Sequence, residues 1–255
     1  AYDYPTANLL EKAGVDMILV GDSLGMVVLG YDSTVPVTMD EMVHHTKAVR
    51  RGAPNTFVVA DLPYLSYTNS QEALFNAGRL IKEGRADAVK LEGGKDFAPI
   101  IEYLTKNGIP VVGHIGLTPQ TSTQLGGFKV QGKDLESASR IYHDALALEK
   151  AGAIMITLEA IPAPLAARIT ADLVIPTIGI GAGVQCDGQV LVIHDLLGLY
   201  EKFVPKFVKQ YENLAQSIQK AVKQYCQEVK NSVFPAAEHS YKMEEEVLKS
   251  IFTKD

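Results

Sequence analysis

Four short apolar runs in this sequence each end in an acid, and this pattern limits the possible folds more than any other feature. The acids are Asp22, Asp61, Glu92 and Glu159. The runs have the length and β-branched content of buried strands, and each acid stands where a strand should give way to a loop. Parallel strands in a barrel bring their carboxyl ends to one mouth, where active sites lie. Carboxylates gathered there repel one another unless a cation neutralises them, so the pattern predicts a metal-centred active site.

Strand-like and helix-like segments alternate along the chain, which is typical of parallel βα units. Strands are predicted at 17–20, 57–60, 88–91, 109–114, 154–158, 176–179 and 189–193. Helices are predicted at 6–14, 38–51, 70–84, 96–107, 134–152 and 162–171. An eighth strand, first in order, would lie before or across residues 1–3. We therefore expect an α/β fold, a (β/α)8 TIM barrel with its first strand truncated. A doubly wound sheet is the rival topology, but acids at so many strand ends favour the closed barrel.

Two segments outside these units carry further expectations. Apolar residues recur every three or four positions after the barrel, which predicts one long amphipathic helix. They are Phe207, Tyr211, Leu214, Ile218, Val222, Tyr225 and Val229. This helix either packs on the barrel's own outer layer or contacts another subunit. We expect one domain over 1–255, with 206–241 as C-terminal helix and tail. The loop 117–133, with Gly126 and Gly127, is either a lid over the mouth or a static segment against a neighbouring subunit.

Composition narrows the class of protein. The formal net charge of −6 gives no reason to expect a nucleic-acid partner. No apolar run approaches the roughly 18 residues of a membrane span, so no membrane partner is expected. Cys186 and Cys226 are isolated and form no CxxC motif, which favours a reducing compartment. We therefore expect a cytoplasmic protein that acts on small molecules.

Nine short motifs, in order along the chain, resemble ketopantoate hydroxymethyltransferase. They are Val20-Gly-Asp-Ser-Leu-Gly-Met26, Asp32-Ser-Thr-Val-Pro-Val-Thr38, His45 through Val49-Arg-Arg-Gly-Ala-Pro54, Ala60-Asp-Leu-Pro-Tyr64, Val89-Lys-Leu-Glu-Gly-Gly94, Gly113-His-Ile-Gly-Leu-Thr-Pro-Gln120, Lys129-Val-Gln-Gly132, Leu158-Glu-Ala-Ile-Pro162 and Gly179-Ile-Gly-Ala-Gly183. One motif alone is weak evidence, but nine in order are specific, and the likeness runs from Ala1 to the tail at 234–241. The resemblance implies a magnesium-dependent barrel, assembled as a homo-oligomer and commonly a decamer. It also implies transfer of a one-carbon unit from 5,10-methylenetetrahydrofolate to 3-methyl-2-oxobutanoate.

The resemblance assigns the acids to two roles. Asp22, Asp61 and Glu92 match the family's metal ligands, and hard oxygen donors of this kind favour Mg²⁺ over Zn²⁺. Asp22 and Asp61 are accordingly expected beside the substrate as well. Glu159 matches the family's proton acceptor, which removes the proton from C3 of the 2-oxo acid.

Three further residues are expected to touch the substrate. Ser23 directly follows Asp22, so its hydroxyl and amide are placed to hold the substrate carboxylate, although it is equally suited to capping a helix. Lys90 lies two residues before Glu92 on one strand, points to the same side, and is expected to pair with anionic oxygens of the substrate. His114 closes the next strand and either donates a hydrogen bond to the substrate or is structural.

Other functions remain open at this point. A class II aldolase or a lyase acting on a 2-oxo acid would share the acids but need no folate. An aldolase that forms a Schiff base through Lys90 is a further rival. A non-catalytic barrel is disfavoured because it would have lost acids from the mouth.

Overall fold

The structure is a computed structural model that describes residues 1–122 and 129–252. Seven strands run parallel in one sheet and neighbour each other in chain order. They are β1 (Met17–Val20), β2 (Phe57–Asp61), β3 (Ala88–Glu92), β4 (Val111–Gly116), β5 (Met155–Glu159), β6 (Thr177–Ile180) and β7 (Gly188–Gln189). The predicted alternation of parallel strands and helices is confirmed, and the sheet curls into a half-barrel.

Helices fill the connections between the strands and continue after the sheet. They are α1 (Tyr4–Ala13), α2 (Leu24–Val27), α3 (Met39–Gly52), α4 (Ser70–Lys82), α5 (Ala98–Lys106), α6 (Leu135–Lys150), α7 (Ala163–Asp172), α8 (Ile193–Leu196), α9 (Leu214–Lys230) and α10 (Glu245–Phe252). Thr38 and Glu41 form a capping box that starts α3, as their spacing predicts. Asn69 and Asp134 cap α4 and α6 in the same way, through side-chain oxygens that accept from backbone N–H groups. None of the helices in the described part of the chain has the length and apolar content that crossing a bilayer requires.

Both faces of the sheet are covered, which explains why its strands read as continuous apolar runs. On the outer face, Leu80, Leu104 and Leu148 of α4, α5 and α6 are fully buried in one large cluster. Val59, Ala88 and Val112 form a smaller cluster of their own. Because side chains alternate along a strand, this second cluster lies on the inner face of the half-barrel.

The register of the ladder decides which polar residues become neighbours. Asp61 of β2 pairs with Lys90 of β3, and Glu92 of β3 pairs with His114 of β4. The last residue of β4 pairs with Glu159 of β5. The acids predicted at strand ends therefore do lie together, at the carboxyl ends of neighbouring strands.

The first and the last strand predicted for the sheet differ from what the structure shows. Residues 1–3 are not a strand, although the Ala1 nitrogen donates to the Leu19 carbonyl of β1 at 2.9 Å. Within the described residues the ladder has seven strands, so a closed (β/α)8 barrel stays a prediction. β7 covers Gly188–Gln189 rather than 189–193, because the Val192 carbonyl accepts from two following backbone N–H groups and turns the chain into α8.

The C-terminal helix begins later than predicted. The Asn213 side chain accepts from the Gln216 N–H and caps α9, so the helix starts at Leu214. Phe207 and Tyr211 precede it, and the Tyr211 N–H donates to the Leu196 carbonyl of α8 instead. The single helix predicted through all seven apolar positions is therefore wrong in its first part.

The apolar stripe that remains on α9 does not pack on the barrel. Ile218, Val222, Tyr225 and Val229 are each 44–54% exposed, and the ring that Tyr225 contacts is Phe234 of the tail, not a residue of the barrel. Packing of this stripe on the barrel's own outer layer, one of the two predicted alternatives, is wrong. In the loop 117–133, Gly126 and Gly127 lie outside the described residues, so the predicted lid stays untested.

Candidate active site

A cavity of about 120 Å³ opens at the carboxyl ends of the strands. Every residue predicted from the sequence to form the site lines this cavity, namely Asp22, Ser23, Asp61, Lys90, Glu92, His114 and Glu159. They come from β2, β3, β4, β5 and the turn after β1. The fold thus brings together residues that are far apart in the sequence.

Lys90 is the central cation of this cluster. Its Nζ lies 3.1 Å from Asp61 Oδ1 and 3.1 Å from His114 Nδ1. Burial alone would lower the pKa of Lys90, but the charges of Asp61, Glu92 and Asp22 outweigh burial and raise it. Lys90 therefore stays charged, which disfavours the Schiff-base aldolase, since that reaction needs a neutral amine.

Burial and mutual repulsion disfavour the charged forms of the acids at the mouth. The Asp22 N–H donates to Asp61 Oδ2 at 3.1 Å, which brings the two residues into contact. Burial raises the pKa of Asp22 to about 7, and the charge of Asp61 adds to the shift. Burial also raises the pKa of Glu92 well above its usual value, although Lys90 opposes the shift. Such pKa values indicate a site that is short of positive charge.

His114 connects Lys90 to Glu159. Because an ammonium only donates, His114 Nδ1 must accept from Lys90, which assigns the ring proton to Nε2. Burial, followed by the charge of Lys90, lowers the pKa of His114, so the ring is neutral at pH 7. Nε2 lies 3.1 Å from Glu159 Oε2, although the two groups are not aligned as a hydrogen bond. The histidine thus presents an N–H to the carboxylate predicted to act as the base.

The backbone directly after Glu159 has an unusual conformation. The next residue, Ala160, adopts a left-handed conformation with φ of +47°. Two hydrogen bonds hold it there: the Ala160 N–H donates to the Ile180 carbonyl at 2.9 Å, and the Gln131 N–H donates to the Ala160 carbonyl at 2.9 Å. Left-handed backbone is costly for a residue with a side chain, and it persists only where the surroundings enforce it. The Glu159 side chain is 14% exposed, whereas the side chains of His114 and Lys90 are each 4% exposed.

The Ser23 side chain does not cap the helix that follows it. It precedes α2, but its side chain makes no capping hydrogen bond. Its Oγ instead lies 2.8 Å from the hydroxyl of Tyr2, a buried residue that also lines the cavity. Tyr2 therefore holds the Ser23 hydroxyl at the wall of the cavity.

Sequence reasoning missed Gln120 and Thr34. Gln120 is 3% exposed and donates a hydrogen bond from Nε2 to Asp22 Oδ2 at 2.8 Å. Thr34 lines the cavity with a buried hydroxyl that has no hydrogen-bond partner within the described residues. Both residues stand inside motifs that also carry the family resemblance, but they lie on loops, where neither hydrophobic periodicity nor an adjacent strand marks them.

The donor set fits a divalent cation that keeps part of its water shell. Asp61 Oδ1 is buried without a well-formed hydrogen bond, and Asp22 is beside it. Magnesium is typically held by one or two carboxylates together with waters and substrate oxygens. Over residues 1–122 and 129–252, however, no three His, Cys, Asp or Glu side chains form a ready-made metal cage. Glu92 in particular accepts from the Gln120 N–H at 3.0 Å.

The chain is similar over nearly its whole length to proteins of one family. A family model described as ketopantoate hydroxymethyltransferase matches residues 1–237. The 3-methyl-2-oxobutanoate hydroxymethyltransferase of Syntrophus aciditrophicus is 62% identical over 242 residues, which are 94% of this chain and 89% of the relative. The protein of the same name from Thermus thermophilus is 61% identical over 241 residues, which are 94% of this chain and 92% of the relative.

Solved structures with much lower identity share the fold. Phosphonopyruvate hydrolase matches 98% of this chain and 87% of its own with a TM-score of 0.60 and 14% identity. A 2,3-dimethylmalate lyase, described as a PEP mutase/isocitrate lyase superfamily member, matches 99% of this chain and 87% of its own with a TM-score of 0.56 and 17% identity. At these identities the likeness concerns architecture alone.

Proposed function

Because this chain belongs to the ketopantoate hydroxymethyltransferase family, we propose that it transfers a hydroxymethyl group to 3-methyl-2-oxobutanoate in pantothenate synthesis, with 5,10-methylenetetrahydrofolate as the one-carbon donor. The chain is thus a transferase. The observation that carries the proposed chemistry is the neutral His114 between the ammonium of Lys90 and the carboxylate of Glu159. This arrangement pairs a base with groups that can stabilise negative charge.

Glu159 removes the C3 proton of the 2-oxo acid in this proposal. His114 Nε2–H faces Oε2 of Glu159, which leaves Oε1 to take the proton. Removal of the proton leaves an enolate, whose charge is stabilised by the buried ammonium of Lys90. Ser23, held by Tyr2, binds the substrate carboxylate and orients C3 toward Glu159.

Asp22 and Asp61 are the proposed ligands of Mg²⁺, with Glu92 completing the set predicted from the sequence. When bound, the ion supplies a Lewis acid that polarises the substrate carbonyl. The proposal is supported by the buried Asp61 Oδ1, by hard oxygen donors and by the raised pKa of Asp22, whose charged form a bound cation would stabilise. A phosphonopyruvate hydrolase structure of the same fold is described as a complex with oxalate and Mg++, so this architecture can accommodate the ion.

A homo-oligomer is the proposed assembly, and a decamer is the form that the resemblance implies. The exposed apolar stripe of α9 supports this proposal, since a large apolar surface without a cover is typical of an interaction site. The partners proposed are otherwise small molecules, the 2-oxo acid and the folate.

Deuterium exchange at C3 of 3-methyl-2-oxobutanoate tests the proposal, because this half-reaction needs no folate. We expect exchange with Mg²⁺ and substrate alone, and ketopantoate only when 5,10-methylenetetrahydrofolate is added. Turnover of the 2-oxo acid that ignores folate would identify an aldolase or a lyase instead. Exchange that is unaffected by chelation of divalent ions would overturn the metal assignment.

A further inference from the structure

We propose that Gln120 and Tyr67 act as a pair of positioning residues that hold Asp22 and Glu92 in the places where the reaction needs them. This inference rests on the proposed function, since it assigns these acids to the cation and the substrate. Neither Gln120 nor Tyr67 lines the cavity. Both lie behind it and act through the acids.

Gln120 joins the ends of three neighbouring strands. Its Nε2 donates to Asp22 Oδ2, just after β1, at 2.8 Å, and to the Leu62 carbonyl, just after β2, at 2.9 Å. Its backbone N–H donates to Glu92 Oε2, at the end of β3, at 3.0 Å. The residue that makes these bonds follows β4, so one side chain and one amide connect four βα units.

The donors of Gln120 also satisfy two buried carboxylates. Asp22 and Glu92 are each 4% exposed, so their oxygens need hydrogen-bond partners inside the protein. A hydrogen bond to a carboxylate stabilises its charged form. Gln120 supplies one such bond to each acid without adding a charge that would compete with a cation. Asp22 Oδ1 is left with its full capacity to bind a ligand.

Tyr67 completes the set of contacts that holds the Gln120 amide. The Asp22 carboxylate and the Leu62 carbonyl only accept, so Nε2 must face them, and the Tyr67 hydroxyl donates to the remaining Oε1. The opposite orientation would set Oε1 against these two acceptors, with no proton between them. Tyr67 is itself held by the backbone of Glu92, whose N–H approaches the hydroxyl at 3.4 Å, and by an edge contact with Phe97 at 5.5 Å between ring centres.

The Tyr67→Phe variant separates positioning from packing, because it keeps the ring and removes only the hydroxyl. Gln120→Met is the second variant, since it keeps the length of the side chain and removes its amide. Tyr142→Phe is the matched control. It also removes a hydroxyl that donates a hydrogen bond, to Asp172 Oδ2 at 2.7 Å, but on the outer helices and away from the cavity.

Two measurements apply to the full-length protein and each variant: calorimetric titration with Mg²⁺ and the kinetics of C3 deuterium exchange. We expect Tyr67→Phe and Gln120→Met to weaken Mg²⁺ binding and to lower kcat of exchange by about 10- to 100-fold, as is typical when the support of a ligand is lost. Substrate KM should change less than kcat, because Ser23 and Lys90 are untouched. Tyr142→Phe should retain wild-type values in both measurements.

Wild-type values for both Tyr67→Phe and Gln120→Met would overturn the inference. Melting temperatures reveal whether a loss of function reflects unfolding. If Gln120→Met does not fold, the measurements on Tyr67→Phe alone test the inference. If the wild type itself neither binds Mg²⁺ nor exchanges C3 deuterium, the proposed function fails. Crystal structures of the wild type and Tyr67→Phe then decide this inference separately: displaced side chains of Asp22 and Glu92 support it, and unchanged positions reject it.

Discussion

Side chains at the mouth of the half-barrel and on helix α9 lie in opposite environments, the first buried and the second exposed. At the mouth, charged groups are almost fully buried, and their partners come from other strands: Lys90 from β3 contacts Asp61 from β2 and His114 from β4. On α9, an apolar stripe that includes Val222 and Tyr225 is about half exposed, although the Tyr225 ring contacts Phe234. Buried charges are tolerated only when paired, and apolar stripes persist only when something covers them. The comparison teaches that the charged side chains of the mouth find partners within the chain, whereas the apolar stripe of α9 stays half exposed over the described residues.

The largest effect is expected from removing an acid at the mouth. Asp61→Ala takes away the contact of Lys90 at 3.1 Å and the acceptor of the Asp22 N–H, so turnover should fall to background at every Mg²⁺ concentration. Asp61→Asn is the milder second variant. Asp172→Asn, which changes an acid of α7 outside the cavity, is the control and should stay active. Near-normal turnover of Asp61→Ala would show that the cluster does not bind the ion.

The next effect concerns the base. Glu159→Gln should lose about 10²- to 10⁴-fold of the C3 exchange rate, which is typical for loss of a general base. Mg²⁺ binding should remain, because Glu159 lies on the far side of His114 from Lys90. Exchange kinetics and calorimetry on the same sample make this test. Undiminished exchange would transfer the role to another group, with His114 next in line.

A smaller effect is expected on stability as a function of pH. Asp22 has a pKa of about 7 in the folded protein against 3.8 for an unperturbed side chain. Between these values the folded protein keeps a proton that the unfolded chain releases. The free energy of unfolding should therefore fall as pH rises through this window, by up to about 1.4 kcal/mol per pH unit.

Melting curves in chelator between about pH 5 and pH 7, inside the window that the linkage relation defines, measure this slope. Asp22→Asn should be less sensitive to rising pH than the wild type, because it has no proton to lose. Added Mg²⁺ should restore stability most at the higher pH, where Asp22 is charged. Parallel curves for the wild type and the variant would mean that Asp22 is not perturbed.

The smallest effect on the chemistry is expected from α9. Val222→Lys combined with Tyr225→Lys places two charges in the apolar stripe, so the proposed oligomer should dissociate to smaller species while each subunit stays folded. Gln216→Lys combined with Gln227→Lys adds the same charges outside the stripe and should leave assembly intact. Sedimentation velocity and circular dichroism measure both. If the stripe variant assembles like the wild type, the covering partner is not a second copy.

Most of the strands follow from the sequence because each is a short apolar run with an acid or a glycine at its end. β7 is shorter than predicted since it lies at the edge of the sheet, where Val192 and Ile193 gain more from the turn into α8 than from a ladder with one neighbour. Phe207 fits the apolar period of α9 but lies outside it, because the Asn213 cap overrides periodicity. Ser23 was predicted either to hold the substrate or to cap a helix, and only its contacts show that the side chain makes no capping hydrogen bond.

Gln120 shows why part of the site could not be predicted from the sequence. Its function depends on three acceptors that lie 28, 58 and 98 residues away, and no local pattern records such distances. Lys90 was predictable because it shares a strand with Glu92 and the period of two places both on one side. The contacts of residues that reach the site from loops can be identified only once the folded structure is known.

The left-handed turn at Ala160 has a consequence for how this enzyme can diversify. Glu159 directly precedes that turn, and one of the two hydrogen bonds that hold the turn comes from the backbone N–H of Gln131, in the second half of the long loop. A sequence change in this loop can therefore shift the backbone beside Glu159 while every acid of the mouth stays the same.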